Sequence, residues 1–193
     1  MRTMQTILAF TVLIMAIFTL GCAKPPTEEM EKAVEAVARA ENDNNAVTYA
    51  ANSISRARDA LARMHVEAAS KNYDAAKSYA AEAISIAERA INEGKAGADR
   101  ARNEAAALVA EIKPMVIETE RGINTAKAAG LPLNFEDIAV TFSIASSSAE
   151  QSEIALNNGR YDDSLKMGRS ARSDLNSINQ KLSNAVISVS RKK

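Results

Sequence analysis

The feature that most limits the fold is the spacing of the small apolar residues. Ile54, Ala57, Leu61, Met64 and Ala68 recur at alternating intervals of three and four. Such residues lie in one stripe along an α-helix. A second stripe runs through Ala76, Tyr79, Ala83, Ala87 and Ala90, and keeps its phase through Gly94, Gly97, Ala101, Ala105, Leu108 and Ile112. A third joins Ile138, Phe142, Ala145, Ala149 and Leu156, with Ile154 on its flank, and a fourth joins Leu165, Gly168, Ala171, Leu175, Ile178, Leu182 and Ala185. No segment alternates with the two-residue period of a strand. The apolar content is mainly Ala, Ile, Leu and Val, and alanine is the best helix former. The pattern predicts an all-α fold, a bundle or array of about five to six antiparallel helices.

The punctuation sets the expected helix limits. Thr27 is the expected N-cap of the first helix, with Glu28 and Glu29 at the positive end of its dipole. Glu41-Asn42-Asp43-Asn44-Asn45 reads as a polar turn, followed by a helix over 47–70. Lys71-Asn72-Tyr73-Asp74 breaks it, and Asn72 or Asp74 caps the next. Residues 73–112 read as one helix or two. Glycines on their stripe would let a neighbouring backbone come close, at about 1 kcal/mol each in helix propensity. Lys113-Pro114 should kink or end the helix, with helical pattern resuming over 116–129. Gly130-Leu131-Pro132 then follows the Gly-then-Pro order of a helix end. Asn134 is the expected cap before Phe135, Asn157-Asn158-Gly159 closes that helix, and 161–191 is the last. Arg191-Lys192-Lys193 suits the negative end of its dipole.

Ahead of these helices, Arg2 precedes an apolar run from Ile7 to Leu20, and Thr19-Leu20-Gly21-Cys22 closes it. A charged start, an apolar stretch and a small residue before a cut make a secretory signal. Cys22 is the only cysteine of the chain. The segment resembles a bacterial lipoprotein signal, which implies cleavage between Gly21 and Cys22 and a diacylglyceryl thioether, with an added acyl chain such as palmitate, on Cys22. The expected organisation is a signal peptide over 1–21, a lipidated Cys and Pro tether over 22–26, and a single all-α domain over 27–193. Pro25 and Pro26 favour an extended backbone of about 3.1 Å per residue, so the domain should stay close to the membrane. By the same resemblance, Ala23 after the Cys implies the outer membrane, facing the periplasm. Nothing after the leader is apolar for the about 20 residues that a spanning helix needs.

Two halves of the domain repeat one another. Asn72-Tyr73-Asp74 and Arg160-Tyr161-Asp162 each join a long helix to the next, and Ala76 and Ala83 align with Ser164 and Ala171. Tyr49-Ala50 and Phe135-Glu136 each read as following a turn and opening a long helix. These matches predict two similar helical units, about 27–112 and 115–193, with Tyr73 and Tyr161 filling the wedge where two helices diverge. The turn-Tyr-x-x-Ala/Ser-x(6)-Ala pattern resembles the corner of tetratricopeptide repeats, although the 34-residue period of that repeat is absent. Cys-x-Lys-Pro-Pro, the Ala-rich first helix, Leu61 and the Asn72-Tyr73-x-x-Ala76 corner resemble a family of small Gram-negative lipoproteins known only as a domain of unknown function.

Chemistry has few footholds in the sequence. After the leader is removed, 23 Lys and Arg face 24 Asp and Glu, a balance that gives no case for nucleic acid. With one cysteine no intramolecular disulfide can form. His65, the only histidine, is expected at the rim, and one His cannot make the usual zinc set. Glu28-Glu29, Glu118-Glu120 and Asp162-Asp163 read as solvated faces or first turns. Gly94-x-x-Gly97 lacks the strand and Gly-rich context of a dinucleotide site, and Ser146-Ser147-Ser148 lacks a nucleophile elbow. Met64, Met115 and Met167 are expected in the core. The expectation is therefore not an enzyme, with no metal and no cofactor beyond the covalent lipid on Cys22. The expected partners are the bilayer and an envelope protein held by helical faces, with Tyr49 and Tyr79 as candidate binding residues. The alternative is a structural or stress-related envelope lipoprotein without a specific partner.

Overall fold

The computed structural model describes residues 24–191. Residues 1–23, with the expected signal peptide and Gly21–Cys22 junction, and the last two lysines lie outside the described residues. Among those described, the fold is all-α: α1 (Thr27–Asn42), α2 (Asn44–Tyr49), α3 (Ala51–Ala69), α4 (Tyr73–Ala128), α5 (Phe135–Asn157) and α6 (Tyr161–Ser190). Contacts divide the chain into two compact units after Gly94. The limit expected near residues 112–115 thus stands earlier along the same helix, α4.

The first unit is built on alanine. Eleven of the fifteen buried residues in its core cluster are alanines, and Val37, Ile54, Met64 and Ile86 are the others. Short side chains let helix backbones come close. The limit of this is at Gly94, where an added Cβ would stand 2.4 Å from the Ala46 nitrogen and 2.5 Å from its Cα. The glycine expected to admit a neighbour thus admits the first turn of α2. That turn is fixed by Asp43, whose side chain accepts a hydrogen bond from the Ala46 N–H at 2.8 Å.

Several expected limits are corrected. Thr27 is inside α1 rather than its cap; Pro26 precedes the helix, makes no side-chain cap, and its carbonyl accepts from the Met30 N–H. The polar turn near residues 41–45 is partly helical, since α2 occupies Asn44–Tyr49. Tyr49 therefore closes a short helix, whereas Phe135 opens a long one, and the two are not equivalent. Pro114 does not end its helix, which runs on to Ala128. Its missing N–H deprives the Ala110 carbonyl of a partner, but both residues are exposed, so water can serve that oxygen.

The second unit contains α5, α6 and the later part of α4. One cluster gathers Leu108, Ile112, Ala145, Leu165 and Leu175, and a second gathers Ala126, Ile138, Ile178 and Leu182. Between α5 and α6, Ser152 Oγ donates to the Ser164 carbonyl and Ser164 Oγ donates to the Ser152 carbonyl, each at 2.8 Å. Both serines are fully buried, and the reciprocal pair satisfies them. Asn134 caps α5 as expected, accepting from the Glu136 and Asp137 N–H groups. By contrast, Thr119 Oγ1 is buried without a hydrogen-bond partner. An unsatisfied buried hydroxyl costs about 1–3 kcal/mol, so Thr119→Val should stabilise the protein by about 1 kcal/mol. Urea denaturation checks this, and a loss of stability would show that the hydroxyl has a partner after all.

The corners before Tyr73 and Tyr161 share one geometry, and the α4–α5 corner repeats it at Ala129, Gly130 (φ 63°) and Leu131, whose N–H groups donate to the Thr125, Lys127 and Ala126 carbonyls. At the first, Ser70, Lys71 and Asn72 N–H groups donate to the Val66, Ala68 and Glu67 carbonyls. At the second, Asn158, Gly159 and Arg160 donate to Ile154, Leu156 and Ala155, each 88 positions later. The third residue of each triplet closes a six-residue loop, the Schellman arrangement. It needs a left-handed residue, supplied by Lys71 (φ 61°) and by Gly159 (φ 73°). Ala76 and Ser164 are both fully buried just beyond. Tyr73 and Tyr161, the tyrosines expected at these corners, are half-buried.

Candidate functional site

Among the described residues, each unit carries an apolar groove open to the surface. In the first unit, Thr27, Met30 and Val34 of α1, with Glu31 and Glu35 at the edge, face His65 of α3 across a cavity of about 480 Å³. His65 is exposed there, as expected of a rim residue. Neither candidate tyrosine lines this groove. Tyr79 is half-buried against the alanine core, with the Arg63 guanidinium 6.0 Å from its ring centre, a cation–π distance. Tyr49 is half-buried at the end of α2.

The second unit carries the larger groove, about 680 Å³, between the C-terminal parts of α4 and α6. Gly122, Ala126 and Ala129 make one wall, Leu182, Val186 and Val189 the other, and Leu131 closes an end. Glu118, Arg121, Thr125, Ser183 and Ser190 add a polar edge. The shape follows from residue size. Small residues on α4 recede, while Leu182, Val186 and Val189 recur at helical spacing beside the core stripe of α6. That second row is the sequence signal for the groove, and it shares Leu182 with the core stripe that runs on to Ala185.

The remaining candidates separate. Glu28 is held below the usual carboxylate range by the Lys32 hydrogen bond and then by its charge, and Lys32 is raised by the same contacts. This pair is fully solvated. Its small contribution is present above the ordinary Glu range and fades as pH falls through the lowered value. Glu29 pairs with Lys77 and Asp163 with Arg160, and Glu118 edges the larger groove. Ser146, Ser147 and Ser148 sit within α5. Met64 is fully buried, and Met115 packs half-buried on the second unit's core. Among the described residues no group of three His, Cys, Asp or Glu converges as a metal site, and no helix is long and apolar enough to cross a membrane. Comparison with family models, curated proteins and solved structures gave no match.

Proposed function

We propose that this chain is a lipid-anchored helical lipoprotein of the bacterial envelope that acts as a non-catalytic protein-binding or scaffold module. The observation that carries the binding part is the groove between α4 and α6, whose apolar lining is open to solvent. Its Ala, Leu and Val surface is what an apolar helix face from a partner would cover. The anchor rests on the sequence alone, Leu20-Gly21-Cys22 after an apolar run, and Ala23 after the Cys, by resemblance to sorted bacterial lipoproteins, extends it to the outer membrane, facing the periplasm.

A bound acyl chain contributes about 0.8 kcal/mol per buried CH₂, and one chain alone holds only marginally. The expected two or three chains on Cys22 anchor firmly. Cys22→Ser should therefore move the protein to the soluble fraction or leave its precursor uncut, and unchanged processing and membrane fractionation would remove the anchor from the proposal. For the binding part, a photoreactive residue at Thr125 or Val186 in intact cells should give discrete adducts, while one at Lys95, on an exposed part of α4, should not. A uniform smear at every position would favour the structural lipoprotein without a specific partner.

A further inference from the structure

The chain has a single Asn-Gly step, Asn158–Gly159, and it stands at the corner between α5 and α6. Asparagine is a chemically labile residue, most of all before glycine, which has no side chain to shield its backbone nitrogen. Nothing else shields that nitrogen here: a Cβ at position 159 would meet only the Tyr161 hydroxyl, at 4.0 Å. Residues 157–160 are all exposed, so water reaches the corner.

The closed corner holds the reactive atoms apart. Loss of the side-chain amide runs through a five-membered ring, in which Asn158 Cβ and the Gly159 nitrogen must lie on the same side of the bond between Cα and the carbonyl carbon. Asn158 has ψ 6°, which eclipses the Gly159 nitrogen with the Asn158 nitrogen and turns Cβ away. The Gly159 N–H, whose proton must leave first, donates to the Leu156 carbonyl at 3.0 Å, and the Arg160 N–H donates to the Ala155 carbonyl at 2.9 Å. Turning ψ breaks both bonds, so the ring forms only when the corner opens. Local opening of an exposed connection can cost far less than global unfolding.

We propose that Asn158–Gly159 is a site of spontaneous deamidation gated by the α5–α6 corner. When the corner opens, hydroxide removes the Gly159 amide proton and the nitrogen attacks Asn158 Cγ. The side-chain nitrogen takes a proton from water and leaves as ammonia. The resulting succinimide adds one water at either ring carbonyl and opens to aspartate or isoaspartate, so the net change consumes one water and releases one ammonia. The new carboxylate stands at the C-terminal end of α5, where the helix dipole disfavours an anion. The isoaspartate branch also lengthens the backbone by a methylene, so the corner bonds lose their spacing and the corner recloses less well. The equivalent positions of the other corners hold Ser70–Lys71 and Ala129–Gly130, neither of which can close the ring. The change therefore belongs to one corner, and it runs one way.

The test holds the purified full-length protein in detergent at mildly alkaline pH, with and without urea, and follows its peptides by mass spectrometry. The peptide with Asn158 should gain the mass of an amide turned acid before any other asparagine peptide. It should do so at least about tenfold faster in urea than in buffer, the factor set by an opening free energy of about 1.4 kcal/mol. Asn158→Gln, at an exposed position, should abolish the gain at that peptide in both solutions. Hydrogen exchange at the Gly159 and Arg160 amides, read by NMR in the same buffer, should be slowed by a factor comparable to the deamidation. Earlier reaction at another asparagine overturns the site. Equal rates in buffer and urea, or amides that exchange freely while deamidation stays slow, overturn gating by the corner.

Discussion

Gly94→Ala should lower stability by roughly 2–4 kcal/mol, as overpacking against a fixed neighbour plus disturbance of a helix cap. On helix propensity alone the change would gain about 1 kcal/mol, so the sign of the result is informative. The nearest atoms to the new methyl are Ala46 backbone at 2.4 and 2.5 Å, not the end of a side chain. The first turn of α2 must shift, and with it the Asp43 hydrogen bond to the Ala46 N–H. For a chain of this length each kcal/mol lowers the melting temperature by about 2–4 °C. The paired control is Gly122→Ala, whose methyl would meet only Leu182 Cδ1, at 3.2 Å. That side chain can turn away, so the control should melt close to wild type or above it. If Gly94→Ala melts as high as Gly122→Ala, the close approach of α2 to α4 is wrong.

Met64→Ala should cost about 2–5 kcal/mol through lost burial and a cavity in the first unit. Met64 is fully buried in a cluster otherwise made largely of alanine. Alanines bring little volume to refill a void, which places the expected loss toward the upper part of that range. Met64→Leu, nearly equal in volume, should cost less than about 1.5 kcal/mol. Tyr73→Ala and Tyr161→Ala, at half-buried corners, should each cost less than Met64→Ala. Urea titration of the four variants orders them, and equal losses at Met64 and Tyr73 would contradict the burial described here.

The helical stripes were legible because alanine, leucine and isoleucine at three-four spacing leave no competing period. The corner at Lys71 and its counterpart at Gly159 were legible too, through the 88-residue offset of Tyr73 and Tyr161. Full burial just past each corner falls to Ala76 and Ser164, which the aligned small residues of the two halves had marked. The short helix α2 escaped because one and a half turns of Asn, Ala, Val and Thr show no periodicity. Pro114 misled for a different reason: the cost of a helical proline depends on whether the orphaned carbonyl can reach water, and that exposure is a tertiary fact. Of the candidate sites, Cys22 lies outside the described residues, and the half-burial of Tyr79 against the first core agrees with its place on a stripe. The groove between α4 and α6 was not legible, since a concavity depends on which two helix ends approach, and spacing within one helix does not carry that.

The matching corners also bear on how quickly the chain reaches its fold. Each is a short connection between helices consecutive in sequence, and α5 packs against α6 directly across the second. Closing so small a loop takes little entropy from the unfolded chain. Helical proteins dominated by such local pairings fold in about microseconds to milliseconds. The left-handed residue is then the one local decision each hairpin must make. Glycine at position 159 makes it at no steric cost, whereas Lys71 must enter a region that L-residues avoid by about 1–2 kcal/mol. If that residue is set before the helices dock, Lys71→Gly should speed formation of the first hairpin in stopped-flow refolding, while slower unfolding with unchanged refolding would place the turn late.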